Sequence, residues 1–444
     1  MTLRLGRLGT FFIVIALGAS MFGMGVLFTR GGPVLPAPPI GSGVVGQGLV
    51  TTTGADLGRV IGSLQQRLRR VPGDHPAWAS LATAYVQQAA VTGDPTYYPK
   101  AAAALRRSLR IEPDRNAAAL TGQAALAAAR HDFDEALRRA RESQRINPYS
   151  AANQGILSDA LQQLGRYRQA RSELQGMLDL QPGVPAFTRA SYAWELDGQL
   201  GPAKTALKRA LDMADRPSDQ AYCLFYLGEL AWNSGDLAAA DEYYRQGIGQ
   251  DSSYTALLAG RAKVAAARGD AQKAVNFYER VVQRLPIPTY LIAFADLLRS
   301  LGRDEEAARQ ESVVAATRSL FEAAGVSVDL EIALFDADRG RGRAALQAAR
   351  SAWESQRSIE AADAYAWALH VTGRDQEAMH FARAAARLGT KSALFAYHRG
   401  IIEMSLGRFD AARVSLERAL SLNPHFSSLL APRAEAALDR IQTR

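Results

Sequence analysis

Cysteine is almost absent: Cys223 is the only one in 444 residues. That excludes an intramolecular disulfide, a thiolate zinc site and a lipid-modified cysteine after the N-terminal apolar stretch. A single thiol among small and apolar neighbours reads as packing. Lysine is scarce too, with six among the 52 basic residues. In a chain so rich in alanine, that bias reads as base composition rather than as an arginine function. Six histidines (His75, His131, His370, His380, His398, His425) are scattered, and no HExxH helix pairs two of them for a metal. No stretch alternates with the period of a strand, so no glycine-rich phosphate loop can follow one. Acid pairs such as Glu305-Glu306 sit beside turns on solvated faces. No nucleophile, base and orienting group can be argued together. The expectation is no catalytic residue, no metal, no cofactor and no small-molecule substrate; the chain does not read as an enzyme.

Charge is unevenly placed. The formal net charge is +8, and the excess lies before residue 181, after which acids and bases balance. No basic face is interleaved with stacking aromatics, so a nucleic-acid partner is not expected. Hydrophobic residues at 48% with charged residues at 22% exclude wholesale disorder.

Gly9 to Phe28 (GTFFIVIALGASMFGMGVLF) carries no charge. Its 20 residues, at a helical rise of about 1.5 Å each, match a bilayer core. Arg4 and Arg7 precede it, Arg30 alone follows, and the next charge is Asp56. The positive-inside tendency places the N-terminus in the cytoplasm and the remainder outside a cell membrane crossed once. The alternative is a cleaved signal segment and a secreted or periplasmic product. Gly31 to Gly54 is uncharged and crowded with glycine and proline, the composition of a flexible tether. The expected divisions are 1–8 as a cytoplasmic N-terminus, 9–28 as the anchor and 29–55 as the linker. A leading helix over 56–74, a repeat array over 75–424 and a closing helix over 425–444 follow.

The array shows as a ladder of alanines: Ala101, Ala136, Ala170, Ala206, Ala240, Ala274, Ala307, Ala345, Ala378 and Ala412. A period near 34 residues is the mark of helix–turn–helix repeats. Proline follows many second helices, at Pro113, Pro148, Pro182, Pro286 and Pro424. Turns are expected at Gly165, Gly201, Gly235, Gly269, Gly302, Gly340, Gly373 and Gly407, with His131 in place of glycine in the second copy. The first copy has an insertion, Val91 to Lys100, and the eighth, Val326 to Arg357, is the least regular. Each hairpin has apolar residues at helical spacing but too few to fold alone, so neighbours must stack.

Trp78, Leu81, Ala82 and Tyr85 open the first copy; Leu224, Leu227, Gly228, Ala240 and Tyr244 mark the fifth; Gly400, Ala412 and Pro424 mark the tenth. In these residues the chain resembles the tetratricopeptide repeat family. The resemblance implies an all-α, right-handed superhelical solenoid of about ten hairpins, here with an N-terminal transmembrane helix. It also implies that first helices line a concave groove that binds protein or peptide partners.

Carried onto repeats four and five, the family's groove positions fall on Phe187, Trp194, Tyr222, Phe225, Tyr226, Glu229 and Trp232. Lys263 lies on a nearly bare floor in repeat six. Trp367, His370, Tyr397 and His398 form a second cluster in repeats nine and ten. Aromatic rings give large contact area at low entropic cost, as binding hot spots require. The paired basic residues and asparagines of carboxylate-clamp relatives are missing. The functional expectation is a membrane-tethered scaffold or adaptor of the bacterial envelope that binds protein or peptide partners in its groove. The alternative is a permanent accessory or assembly subunit of a membrane transporter or enzyme complex.

Overall fold

Aspartate, asparagine and serine start many of the helices. Asp74, Asn116, Asp132, Ser150, Asp236, Asp270, Ser358 and Ser392 each accept a hydrogen bond from the backbone N–H three residues on. This satisfies amide groups that a helix start leaves open. Between paired helices the chain enters the left-handed region, as at Gly165 (φ 70°) and Gly373 (φ 77°). His131 does the same at φ 63°. There the Asp132 N–H donates to the Ala127 carbonyl and the His131 N–H to the Ala128 carbonyl, the double closure that ends a helix at a left-handed residue.

The computed structural model describes residues 54–443, and the expected anchor and most of the linker lie outside them. Helix α1 (Gly54–Arg70) leads. Ten hairpins follow, beginning with α2 (His75–Thr92) and α3 (Tyr97–Ile111), α4 (Ala117–Ala129) and α5 (Phe133–Ile146), and α6 (Ala151–Gln163) and α7 (Tyr167–Leu180). Next come α8 (Val184–Leu196) and α9 (Leu200–Asp212), α10 (Pro217–Asn233) and α11 (Leu237–Gln250), and α12 (Thr255–Ala267) and α13 (Ala271–Arg284). The last four are α14 (Pro288–Ser300) and α15 (Asp304–Ala323), α16 (Asp329–Asp338) and α17 (Gly342–Ser355), α18 (Ile359–Val371) and α19 (Asp375–Ala385), and α20 (Ala393–Ser405) and α21 (Phe409–Leu422). Helix α22 (Leu430–Gln442) closes the stack. These 22 helices, with no strand among the described residues, make an all-helical solenoid. None is long and apolar enough to cross a membrane.

One turn differs from the sequence expectation. The left-handed residue of the fourth hairpin is Gly198, and Gly201 lies inside α9. Ala203 therefore holds the place in the ladder assigned to Ala206. The irregular spacing belongs to the loop after α9, not to the turn before it. In the first hairpin the extra residues lengthen α2 as far as Thr92. In the eighth, α16 shrinks to 10 residues beside the 20 of α15.

The two helices of a hairpin occupy different layers. First helices are buried almost all round: Tyr222 through Leu230 of α10 form an unbroken buried run, as do Leu291 through Leu298 of α14. Second helices bury one stripe and leave a polar face in water, as in α5, where Phe133, Ala136, Ala140 and Ser143 are covered. Small residues let the layers meet. A Cβ at Gly228 would collide with the Tyr244 ring, and one at Gly400 would lie 2.8 Å from Leu416 Cγ.

The solenoid winds until it touches itself. Hydrogen bonds join residues 191 to 196 apart in sequence, between five and six periods of the repeat. Along this seam the helix-to-helix turns of repeats one to five meet the loops that follow hairpins six to ten. His131 Nδ1 donates to the Ser327 carbonyl at 2.7 Å, and the Arg357 N–H donates to the Gln163 carbonyl at 2.9 Å. Tyr167 Oη accepts from the Ile359 N–H at 2.9 Å, Thr390 Oγ1 donates to the Leu196 carbonyl, and Asn423 Nδ2 donates to the Trp232 carbonyl at 2.9 Å. The bond to Ser327 explains why His131 can hold a conformation that glycine takes elsewhere: a tertiary contact offsets the local strain.

Candidate functional site

The expected groove residues lie mostly inside the protein. Tyr222, Phe225, Tyr226, Glu229 and Trp232 of α10, Lys263 of α12, Trp367 of α18, and Tyr397 and His398 of α20 are all buried. Phe187 and His370 are half-buried, and Trp194 is 41% exposed. The sequence expectation set all twelve on a solvent-facing wall; the structure corrects that placement for nine of them. The cause is the winding: first helices covered on every side leave no open wall there.

The rings of repeat five pack as a cluster. Tyr222 and Tyr226 meet edge-on with centroids 4.7 Å apart, and Phe225 meets Tyr226 at 5.0 Å and Tyr254 at 5.7 Å. Beneath them Lys263 Nζ donates to both Glu229 oxygens at 2.6 and 2.8 Å. Tyr244 Oη donates to the same carboxylate at 2.5 Å, and the ammonium lies 5.3 Å from the Trp232 ring centre. A buried carboxylate with three such donor contacts and a buried cation over an aromatic face are mutually satisfied.

This pairing recurs up the interior, each time between first helices of neighbouring repeats. Arg189 of α8 grips Asp159 of α6 through Nε and Nη2, at 2.7 to 3.0 Å. Arg339, at the C-terminal cap of α16, reaches Asp296 of α14 at 2.9 Å. His398 of α20 lies 2.8 Å from Asp363 of α18 through Nδ1. Trp367 is stacked between His398 at 4.3 Å and His370 at 4.9 Å, while its Nε1 donates to Asp338 at 2.8 Å. His370 turns its Nδ1 to Asp375 at 2.5 Å.

Burial raises several interior acids. Glu195 and Glu331 are each pushed up to about 7, and Asp219 to about 6, desolvation being the largest cause in each case. Such values occur at catalytic sites, but here the causes are burial and neighbouring side chains of the interior, and the Cys223 thiol near Asp219 is itself buried and raised. Glu195 accepts from Asn233 Nδ2 at 2.9 Å, a structural bond between repeats. Among the described residues no group of three or more His, Cys, Asp and Glu could hold a metal. Cys223 is buried, and desolvation raises its thiol well above the ordinary range.

Two sets of residues escaped the sequence reading. One is the seam, whose partners lie too far apart along the chain for any local pattern to join them. The other is an edge stripe at the ends of second helices: Ile146, Leu180 and Met213 are exposed, with Tyr149 beside them at 72%. A signal for the second existed, since an apolar residue recurs just before the loop at the repeat period.

The tetratricopeptide repeat family model matches residues 221–254 and 395–426, which span hairpins α10–α11 and α20–α21. The chain thus carries tetratricopeptide repeats within an all-helical solenoid. Similar solved structures include a tetratricopeptide repeat protein from Parabacteroides merdae, at 18% identity and TM-score 0.35, covering 58% of this chain and 98% of that one. The Cut9–Hcn1 hetero-tetramer of APC/C is similar at 13% identity and TM-score 0.44, covering 87% and 82%. PilW, a type IV pilus biogenesis factor, is similar at 21% identity and TM-score 0.36, covering 46% and 94%. No curated protein matches the sequence.

Proposed function

We propose that the protein is a non-catalytic scaffold that captures protein or peptide segments. Its solenoid is held at a membrane by Gly9–Phe28 and lies on the extracytoplasmic side. Support for a scaffold comes from the tetratricopeptide repeats, whose carriers are typically interaction proteins, and from an interior whose main ionic groups face one another rather than an opening. Support for the tether is the uncharged run of 20 residues with arginines before it.

The observation that carries the capture surface is Trp194. It stands in water on an inner-layer helix, 41% exposed, while the rings of α10 are core. Phe187, half-buried two turns earlier on α8, extends the same apolar stripe. An exposed indole is the kind of anchor that dominates protein–protein recognition. The expected groove thus narrows to a stripe on one helix.

The test is capture of envelope proteins by the full-length chain and by Trp194→Ala, side by side in detergent. Loss of a specific captured protein from the variant, with an unchanged melting temperature, supports the stripe; an unchanged captured set refutes it. Sidedness is tested separately by a C-terminal alkaline phosphatase fusion, which is active outside the cytoplasm and inactive within it.

A further inference from the structure

The seam joins two kinds of edge, and each winding owns one of each. The edge made of helix-to-helix turns is crowded in the first winding. A Cβ on Gly93 would meet Leu285 Cδ1 at 2.7 Å and Ile287 Cγ2 at 2.9 Å; on Gly165 it would strike the Arg357 carbonyl, and on Gly198 the Gly389 carbonyl. In the second winding the equivalent glycines, Gly269, Gly302, Gly340, Gly373 and Gly407, have nothing among the described residues within 4 Å of that position. The same turns, with the same left-handed backbone, are covered below and bare above.

The opposite edge shows the complementary pattern. In the second winding the residues closing second helices press into the seam: Leu285 against Gly93, Leu422 and Asn423 against Gly235. One winding earlier, the residues at the same place are Val71, Ile146, Leu180 and Met213, all exposed. Tyr149, in the loop after α5, adds the most exposed ring in the described structure at 72%. Five large apolar side chains thus lie along one rim; Val326, which stands one winding on at the place of Tyr149, is buried.

We infer that the chain binds a second copy of itself head to tail, the bare turns of one molecule's second winding seating on the apolar rim of the next molecule's first winding. The occupant follows from continuity: the inter-copy contact repeats a seam that the molecule already makes within itself, between edges of the same construction. Such an interface is heterologous, because each copy uses a different patch. It leaves both ends open, so association proceeds beyond a dimer into stacks. Exposed apolar residues in register are the feature a monomer otherwise keeps scattered. The inference is independent of which protein the Trp194 stripe captures, since it needs no partner but the chain itself.

The experiment uses the full-length chain with detergent in excess, so that association through Gly9–Phe28 is diluted out. Sedimentation velocity over a range of concentrations should show species larger than one chain. Tyr149→Asp with Leu180→Asp, both on the rim, should weaken that association by about tenfold or more, with the melting temperature unchanged. Val414→Asp, on the exposed outer face of α21, should leave it as it was. Polarity is read with a short bis-maleimide cross-linker, Cys223 being buried. Chains carrying Tyr149→Cys and chains carrying Arg408→Cys should cross-link when mixed, and neither with itself. A chain that stays single at every concentration overturns the inference. So does an aspartate pair that leaves association unchanged, or Tyr149→Cys chains that cross-link among themselves, which marks a two-fold contact.

Discussion

Helices α4 and α5 belong to one hairpin and have nearly the same length, yet they follow different rules. Helix α4 (AAALTGQAALAAA) has no charged residue and is buried over most of its circumference. Helix α5 (FDEALRRARESQRI) buries four residues and binds its charges to one another in water, as Arg138 and Arg139 do with Glu135 and Glu142. The first is an interior helix, the second an amphipathic cover. The contrast runs the length of the solenoid. An aromatic residue on a first helix belongs to the core by default, while a second helix buries its rings only along one stripe and leaves its charges to solvent. Trp194 is the exception, which is why it bears the functional proposal.

The contrast is broken most severely by stranding an interior charge. Lys263→Ala leaves the Glu229 carboxylate buried without its cation and should cost about 3–5 kcal/mol in urea unfolding. Lys263→Met with Glu229→Leu should recover most of that loss, because an apolar pair of similar volume needs no desolvated charge. Tyr226→Ala empties a ring from the same cluster and should cost a similar amount, about 3–5 kcal/mol.

A second prediction concerns pH. Burial raises Glu331 to about 7 from an ordinary 4.5, so the folded state holds a proton that the unfolded chain releases. Its stabilising effect is complete below the unfolded value and is lost as pH climbs from about 4.5 through 7. Glu331→Gln should flatten that decline and raise stability at pH 8 by on the order of 3 kcal/mol, read from denaturation midpoints across pH.

The third sharpens the difference between the windings. Gly165→Ala and Gly373→Ala each place a Cβ at positive φ, costing about 1–2 kcal/mol. Only Gly165 also drives that Cβ into the Arg357 carbonyl, an overpacking penalty of about 1–3 kcal/mol more. Equal melting temperatures for the two variants would mean the seam is not closed in solution. The smallest effect is Trp194→Ala, which should move stability by no more than about 0.5 kcal/mol, as surface changes do.

Much of the fold was legible because a repeat writes its register many times. Where one signal strayed, as Gly201 did for Gly198, neighbouring copies kept the count of hairpins intact. The candidate site was less legible. The groove positions were transferred as though the inner wall faced water, and Tyr222, Phe225 and Trp232 instead pack as core. A warning lay in the sequence itself: segments such as Ala117–Ala129 offer no polar face, and an inner helix lining a wet groove needs one.

The sequence by itself determined the helices, their caps, their left-handed turns and the pairing of each hairpin, since all of these depend on residues within one repeat or the next. Tertiary structure alone decided that the winding meets itself, that nine of twelve expected groove residues are buried, and that one pair of edges is sealed while the matching pair is bare. The physical reason is accumulation. Each repeat adds a small rotation and rise too subtle to read from its own residues, and only their sum over a full winding brings Tyr167 to Ile359 and Asn423 to Trp232.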